Sequence, residues 1–464
     1  MGGSPANRAS VDYVAAKAAA AGLDVTVQPF EFEYNADASP AVLNQVSPSP
    51  TSYVDGTDFA SMTSSGSGDI TAPVIAVDLV LPQAPAAGLT TSGCEAADFA
   101  GFPAGAIALM QRGTCPFGTK ADNAAAAGAV GSVIFNDGGD AGRVAVVNGT
   151  LGTPVRTFPV VGASLAVGQD LANGIANGST GSTARLKVDR VVETRTTYNV
   201  IAETPGGDPE EVVVVGAHLD SVPRGPGIND NGSGSAAILA MAEALQGRDV
   251  HNKVRFAWWN AEEFGLLGSA YYVSQLSQEQ KDDIALNLNF DMIGSPNYVR
   301  FVYDGDNSGF PVGPGAAAGP DGSGLIEKVF HDYFGAVGIA SAETPFSGRS
   351  DYGPFIAAGI PAGGLFTGAE GIKTAAQAAV FGGTAGQAYD PCYHLACDTF
   401  ANNSNAALDE MGDAAAHTLL TFARWDFSKR ALTNPAGPVE PRSGSSAGGE
   451  GGGLHDHDHE PEVS

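Results

Sequence analysis

The chain has 464 residues, which is more than one hydrophobic core usually accommodates, so we expect two domains. Its hydrophobic fraction of 43% is that of a globular protein, and no uncharged apolar run is long enough to span a membrane. The formal net charge of -28 excludes nucleic acid and anionic membranes as expected partners.

The first predicted elements are a helix and a strand. Residues 9–21 place Val11, Val14 and Ala18 on one helical face, and Gly22 follows as a terminator. Residues 23–34 then alternate apolar and polar side chains, as a half-buried strand does. From about residue 36 the chain becomes rich in Ser, Thr, Pro, Asp and Gly, which indicates an inserted module that ends near residue 191.

After residue 197, strands alternate with helices, which predicts an α/β fold with a mostly parallel sheet covered by helices on both faces. The four valines at 212–215 form a strand buried on both faces, and residues 252–260 and 282–290 predict two more strands. All three strands end in acidic or imidazole groups, at the sheet edge where ligand sites usually lie. A Gly/Pro-rich loop adds another carboxylate. The candidates are His218, Asp220, Asp230, Glu262, Glu263 and Asp291.

These groups have a simpler interpretation when each is taken alone. A strand ending in a polar loop needs no ligand, and adjacent glutamates such as Glu262 and Glu263 are typical of a solvated helix start. Three strands that end alike favour a metal site instead, because imidazoles and carboxylates are the donors that divalent ions bind.

Six motifs, in this order, carry a resemblance to a known family: HLDS, GINDNGSG, NAEEFGLLGS, NFDMIG, SDYGPF and CYHLACD. The chain resembles the secreted double-zinc aminopeptidases of the clan that includes glutamate carboxypeptidase and the transferrin receptor. The match covers roughly residues 1–35 and 192–425. It implies a three-layer α/β/α zinc-exopeptidase fold with a mixed, mostly parallel sheet.

A second resemblance covers the inserted module. Residues 112–117 read RGTCPF, a helix with Lys120 and AAAAGA follows, and the next strand ends at Asn136. This resembles the β-rich protease-associated domain, and implies an insert of residues 36–191 within a peptidase domain of residues 1–35 and 192–430. The insert offers no catalytic set, so we expect it to shape access to the site. The composition of residues 431–464 predicts a disordered acidic tail. The alternative is that this tail binds a metal ion loosely through His455, His457 and His459.

The family resemblance implies two zinc ions. His218 and Asp291 hold one ion, Glu263 and His394 hold the other, and Asp230 bridges them across a cis peptide bond to the next residue.

The same resemblance assigns the remaining roles. Asp220 accepts a hydrogen bond from the far nitrogen of His218. Glu262 is the general base, and Tyr393 polarises the oxyanion.

Substrate contacts follow from the same motifs. Phe366 and Phe346 would offer an apolar wall, while the carbonyl of Arg349 with Glu262 and Asp291 would receive the α-ammonium group. The expected reaction is hydrolysis of the N-terminal peptide bond after large apolar residues such as Leu. The sequence shows no cluster of Arg and Lys that would bind the carboxylate of a substrate. This disfavours the alternative of a carboxypeptidase or dipeptidase on the same scaffold. A non-catalytic binding module, as in the receptor branch, is disfavoured by the intact ligand positions.

The four cysteines form an even set. The expected pairs are Cys392 with Cys397, around His394, and Cys94 with Cys115 in the insert; the alternative for the first pair is a zinc site. Disulfides favour an oxidising compartment, so we expect a secreted, monomeric enzyme, and the absence of a visible signal peptide says little because the start looks truncated. The sequence does not decide whether calcium also binds.

Overall fold

The computed structural model describes residues 1–139, 143–152, 154–313 and 315–441. The chain divides into two compact units. The first unit comprises Met1–Phe32 and the described residues between 194 and 441, and the second unit comprises the described residues of Glu33–Glu193. Residues 442–464, with the three histidines of the predicted tail, lie outside the described residues.

The helices, in chain order, are α1 Pro5–Ala20, α2 Phe117–Ala126, α3 Leu165–Ala172, α4 Gly234–Ala244, α5 Leu267–Gln275, α6 Gln278–Asp282, α7 Ser323–Ala336, α8 Gly353–Ala357, α9 Ala375–Phe381 and α10 Asn405–Ala423. The strands are β1 Asp24–Ser47, β2 Thr51–Ser52, β3 Phe59–Ser61, β4 Gly68–Ala76, β5 Ile107–Gln111, β6 Gly131–Phe135, β7 Val160–Ala163, β8 Gly178–Glu203, β9 Asp208–His218, β10 Asn252–Trp259, β11 Ile284–Phe290, β12 Phe301–Tyr303, β13 Ala342–Thr344 and β14 Ala362–Phe366. None of the helices among the described residues is long and apolar enough to cross a membrane.

The sheet of the first unit has the order β13-β12-β14-β11-β9-β10-β8. The central strand β9 pairs in parallel with β10 and β11, and β11 pairs in parallel with β14. Antiparallel pairs occur at β10–β8 and β12–β14. The sheet is therefore mixed and mostly parallel, which confirms the expected fold class.

The valines of β9 explain why helices cover both faces of this sheet. Successive side chains of a strand point to opposite faces. Val213 and Val215 pack in a core with residues of α1, α4, α7 and α10, whereas Val212 and Val214 pack with α5 and α8. Burial of both faces produces the three-layer α/β/α arrangement.

The second unit is β-rich. Strands β4, β5, β6 and β7 pair in parallel, in that order. At the two sides of this group, β8 pairs antiparallel with β4, and β3 pairs antiparallel with β7. Helix α2 packs on one face, through Phe117 and Ala121, and α3 packs on the other, through Leu165 and Leu171. The Cys94–Cys115 disulfide lies in this unit, with an S–S distance of 2.03 Å.

Two boundaries differ from the sequence-based expectation. The first helix begins at Pro5 rather than residue 9, because Ser4 caps it by accepting the backbone N–H of Asn7 at 3.1 Å and proline suits a first helical position. Residues 431–441 also pack on the first unit: the N–H of Val439 donates to Oδ2 of Asp306 at 2.8 Å. Packed chain thus extends beyond the start predicted for the tail.

Candidate metal centre

The ends of three neighbouring strands bring the predicted ligands together. His218 is the last residue of β9, Glu262 and Glu263 form a short 3₁₀ turn after β10, and Asp291 directly follows β11. In the parallel pairing, Trp259 of β10 lies beside His218. Parallel register therefore aligns the carboxyl ends of the strands at one edge.

Asp230 stands between two histidines. Its Oδ1 lies 3.2 Å from Nε2 of His218, and its Oδ2 lies 3.1 Å from Nε2 of His394. Each histidine has a further carboxylate beside it, Asp291 at 3.2 Å from His218 and Glu263 at 3.1 Å from His394. The arrangement has two halves, each with one nitrogen and one carboxylate, joined by the shared Asp230.

The loop that carries Asp230 is held by Asp398. The two oxygens of this carboxylate accept the backbone N–H groups of Asn229, at 2.8 Å, and Asp230, at 3.1 Å. The Asp230–Asn231 peptide bond is cis, as the family resemblance implied. We assigned no role to Asp398 from the sequence. Its place at the end of the CYHLACD motif is the feature that could have indicated one.

The ring orientation of His218 suits a metal ligand. Its Nδ1 lies 3.2 Å from the main-chain carbonyl oxygen of Asp220, and a carbonyl only accepts, so Nδ1 carries a proton and Nε2 is the nitrogen that faces the carboxylates and would bind a metal ion. We expected the Asp220 carboxylate in this role. Its Oδ1 lies 3.8 Å away and instead accepts the backbone N–H of Glu262 at 3.1 Å.

Other hydrogen bonds orient the carboxylates. Oε1 of Glu263 accepts the N–H of Val222 at 3.1 Å, which leaves Oε2 on the side of His394. Oδ2 of Asp291 accepts the hydroxyl of Ser350 at 2.6 Å. Ser350 belongs to the SDYGPF motif, but its hydroxyl was not among the predicted site groups.

Burial and mutual charge perturb the titration of these groups. Burial disfavours the charged form of His218, but the carboxylates of Asp291, Glu262 and Asp230 outweigh it and raise its pKa well above the ordinary value. Burial is likewise outweighed at His394, where Glu263 and Asp230 raise the pKa to about 10. The carboxylates thus favour positive charge at the site. Two imidazoles with carboxylates match the donors zinc prefers, so the residues fit that ion.

Glu262 differs from its neighbour Glu263. Its Oε2 lies 4.0 Å from Nε2 of His218, farther than the carboxylates of Asp230 and Asp291, which lie 3.2 Å from that nitrogen. Burial is the main cause that raises its pKa well above the ordinary value, with a further contribution from the charges of Glu263 and Asp291. A buried carboxyl that favours its protonated form is suited to accept and return a proton.

Tyr393 and Arg349 form a contact beside His394. The Tyr393 ring stacks on the His394 ring with centroids 3.8 Å apart, and the Tyr393 hydroxyl accepts from Nη2 of Arg349 at 3.0 Å. The Arg349 guanidinium also pairs with Glu370 at 2.9 Å. Tyr393 and His394 lie between Cys392 and Cys397, which form a disulfide. Because both sulfurs are in this bond, the alternative of a zinc site at these cysteines is excluded.

The two predicted apolar substrate contacts differ in accessibility. Phe366, at the end of β14, is partly exposed and stacks on Phe301 at 6.1 Å between centroids. Phe346 is 0% exposed and packs between Tyr303 and Tyr352. Phe366 is therefore partly accessible to solvent, whereas Phe346 is fully enclosed.

Comparisons with known proteins identify the family of both parts of the chain. The model of peptidase family M28 matches residues 199–419, and that of the PA domain matches residues 70–171. An aminopeptidase of Pseudomonas aeruginosa is 50% identical over 414 residues, which cover 89% of this chain and 75% of that protein. A probable leucine aminopeptidase 2 of Aspergillus fumigatus is 46% identical over 374 residues, which cover 80% of this chain and 70% of the relative.

Solved structures show the same fold. An aminopeptidase from Aneurinibacillus sp. strain AM-1 has a TM-score of 0.68 and 27% identity, covering 95% of this chain and 92% of its own. A zinc aminopeptidase from Bacillus subtilis has a TM-score of 0.66 and 24% identity, covering 95% and 94%. The resemblance found in the sequence is confirmed: the chain belongs to peptidase family M28, as a hydrolase of the aminopeptidase class that carries a PA domain.

Proposed function

We propose that this protein removes single residues from the amino ends of peptides and that it does so with two zinc ions. The observation that carries the proposal is the position of Asp230, whose two oxygens face two different histidines at 3.2 and 3.1 Å. A carboxylate shared in this way is what a pair of metal ions needs as a bridge. The aminopeptidase names of the relatives support the same reaction.

The ligand roles follow the two halves of the centre. His218 and Asp291 would hold one zinc ion, Glu263 and His394 would hold the other, and Asp230 would contact both. Zinc, when bound, supplies Lewis-acid chemistry that lowers the pKa of water and polarises a carbonyl group.

Glu262 is the proposed general base. It is buried, it lies beside the ligand cluster, and its backbone N–H is held by Asp220. Its carboxylate would take a proton from the attacking water and return it to the leaving amine, a step that typically contributes about 10²–10⁴-fold to the rate. Tyr393 would donate its hydroxyl hydrogen to the oxygen that gains negative charge.

The substrate's free α-ammonium group would be received by Glu262, Asp291 and the carbonyl of Arg349. Phe366 would contact the first side chain, which supports a preference for large apolar residues such as Leu, in line with the leucine aminopeptidase names of the fungal relatives. The two disulfides support secretion into an oxidising compartment.

The inserted domain is proposed to take no part in bond breaking. We place the peptidase domain at residues 1–35 and 192–430 and the insert at residues 36–191, close to the two compact units. All groups of side chains among the described residues that could hold a metal lie in the first unit. Point changes at polar residues of the insert should therefore leave hydrolysis of a small chromogenic substrate intact in folded protein.

The test compares Leu-p-nitroanilide with its N-acetylated form, with zinc per chain measured on the same sample. We expect rapid cleavage of the free amine, loss of nearly all activity on acetylation, and two zinc ions per chain. Equal turnover of the acetylated substrate would refute an aminopeptidase. A peptide amidated at its carboxyl end should still be cleaved, whereas a carboxypeptidase would reject it.

A further inference from the structure

A second group of carboxylates lies in the first unit, around the edge strands β12 and β13. Asp304 and Asp306 follow β12, Glu327 lies in α7, and Glu343 lies in β13. Ligand oxygens of Asp304, Asp306 and Glu327 lie within 4.8 Å of one another, and an oxygen of Glu343 lies equally close to Glu327. Strands β14 and β11 separate β12 from β9 in the sheet, so this group is distinct from the candidate zinc centre.

Within this group, Glu327 is the buried acid that has a carboxylate oxygen without a hydrogen bond from a described residue. Its side chain is 0% exposed, and its Oε2 accepts the backbone N–H of Gly305 at 2.9 Å. Its Oε1 has no hydrogen-bond partner among the described residues. The nearest ring nitrogen, Nε2 of His331, lies 3.6 Å away, which is beyond hydrogen-bond distance. A buried carboxylate oxygen without a partner is costly, and a cation in the cluster would remove that cost.

The charges of the cluster point the same way. No Lys or Arg among the described residues forms an ion pair with these four carboxylates.

The loop that carries Asp304 and Asp306 matches part of the sequence pattern of a calcium loop. Residues 304–309 read DGDNSG, which has Asp, Asp and Ser at the first, third and fifth positions and Gly at the sixth. The Asp304 carboxylate accepts the N–H groups of Ser308, Gly309 and Phe310, so the loop wraps around it.

The loop departs from that pattern at its twelfth position, which is Gly315 where an acid is usual. Glu327, from α7, supplies a carboxylate to the cluster instead. Glu343 also approaches the loop closely: a Cβ atom at Gly309 would lie 1.7 Å from its Oε2, so the carboxylate reaches the backbone of this loop.

We propose that Asp304, Asp306 and Glu327 bind a calcium ion. The three offer only oxygen donors, as hard cations prefer, and the cluster of carboxylates matches the coordination that calcium accepts more readily than zinc. The ring of His331 is engaged elsewhere, because its Nδ1 lies 2.8 Å from the hydroxyl of Ser341.

The ion has a structural role in this proposal. Asp306 accepts the N–H of Val439, and the hydroxyl of Ser308 donates to the carbonyl of Val439 at 3.2 Å. Calcium would therefore fix the loop together with the chain that follows the last helix. This structural role does not involve peptide hydrolysis. The calcium proposal can therefore be tested separately from the proposed function.

The experiment uses the full zinc-loaded chain, freed of calcium and dialysed to equilibrium against radioactive CaCl₂. We expect about one calcium ion per chain and a Tm that rises by at least about 3 °C at saturation. Glu327→Gln keeps the size of the side chain and should weaken binding by at least about 10-fold, with no rise in Tm, and Asp306→Asn should also weaken it. Glu279→Gln, an exposed acid of α6, is the matched control and should bind as the wild type does.

Three results would overturn the proposal. Absence of bound calcium in the wild type would mean that Glu327 is simply a protonated buried acid. Unchanged binding in both Glu327→Gln and Asp306→Asn would place the ion elsewhere. A third zinc ion that Glu327→Gln loses would make the cluster a zinc site. Peptide hydrolysis by Glu327→Gln should remain close to that of the wild type, which separates this outcome from failure of the zinc centre.

Discussion

Among the described residues, the first unit contains two clusters of partly or fully buried acids that differ in their nitrogen donors. In the candidate zinc centre, His218 and His394 each lie 3.1–3.2 Å from two carboxylates. In the second cluster the one imidazole, His331, lies 3.6 Å from Glu327 and contacts Ser341 through its other nitrogen. Both clusters bring several carboxylates close together. The candidate zinc centre also places two imidazoles around a shared carboxylate, and this makes it suited to catalysis.

The clusters also differ in how their acids are held. Asp230 depends on Asp398, a residue 168 positions away in the sequence, which holds its backbone. Asp304 is held by the N–H groups of its own loop, within six residues. The first centre therefore forms only when the whole unit has folded, whereas the second has a local component. Changes that remove single acids test this contrast.

Asp230→Ala should have the largest effect. It removes the group shared by both halves of the zinc centre, so the two cations would repel each other unshielded. We expect loss of bound zinc, measured by mass spectrometry of metal content, and a fall in activity of at least about 10⁴-fold, beyond the loss of a general base alone. Asp306→Asn removes an acid from the other cluster and serves as the control, with zinc and activity retained. Full zinc content in Asp230→Ala would contradict the bridging role.

Glu262→Gln should reduce kcat by about 10²–10⁴-fold while zinc stays bound. The change keeps the size of the side chain and leaves the five proposed ligands in place, but it removes the base. Glu263→Gln is the informative neighbour, because it should lower zinc content as well. If Glu262→Gln kept full activity, Glu262 would be a structural residue of the turn and the proposed mechanism would fail.

Asp398→Ala should weaken zinc binding by about 10–100-fold, since outer contacts of ligands typically contribute that much. The backbone N–H groups of Asn229 and Asp230 would lose their acceptor, and the bridging carboxylate would lose its orientation. Zinc affinity is the decisive readout, with Asp398→Asn expected to recover part of it through its remaining oxygen. Unchanged affinity in the alanine variant would show that the loop is held by other contacts.

Glu327→Gln should leave hydrolysis unchanged and alter how stability depends on pH. Its pKa is raised in the folded state to about 9, so the folded protein binds the extra proton between the ordinary carboxyl value and that pH. Without calcium, the free energy of unfolding of the wild type should therefore fall as pH rises in this window, by up to about 1.4 kcal/mol per pH unit. The glutamine variant should lack this contribution. Urea unfolding at several pH values measures it, and parallel curves for the two proteins would contradict it.

Local patterns in the sequence were enough for much of this architecture. Four consecutive valines predicted a strand buried on both faces, and that strand lies inside the sheet of the first unit, between β11 and β10. Acid or imidazole at the ends of three strands, together with six motifs in order, indicated the family and the residue types of the centre. These signals are local because side-chain periodicity and strand ends are encoded by neighbouring residues.

Tertiary structure alone decided how the site residues are oriented. The expected partner of His218 was the carboxylate of Asp220, but the main-chain carbonyl of the same residue takes that place. The hydrogen bond from the backbone of Asp230 to Asp398 and the contact of Ser350 with Asp291 had no sequence-based expectation, and the burial of Phe346 differs from the substrate contact that we expected. Hydrogen bonds of this kind join residues that are distant in the sequence, and their geometry depends on packing of whole elements, which periodicity and spacing do not specify.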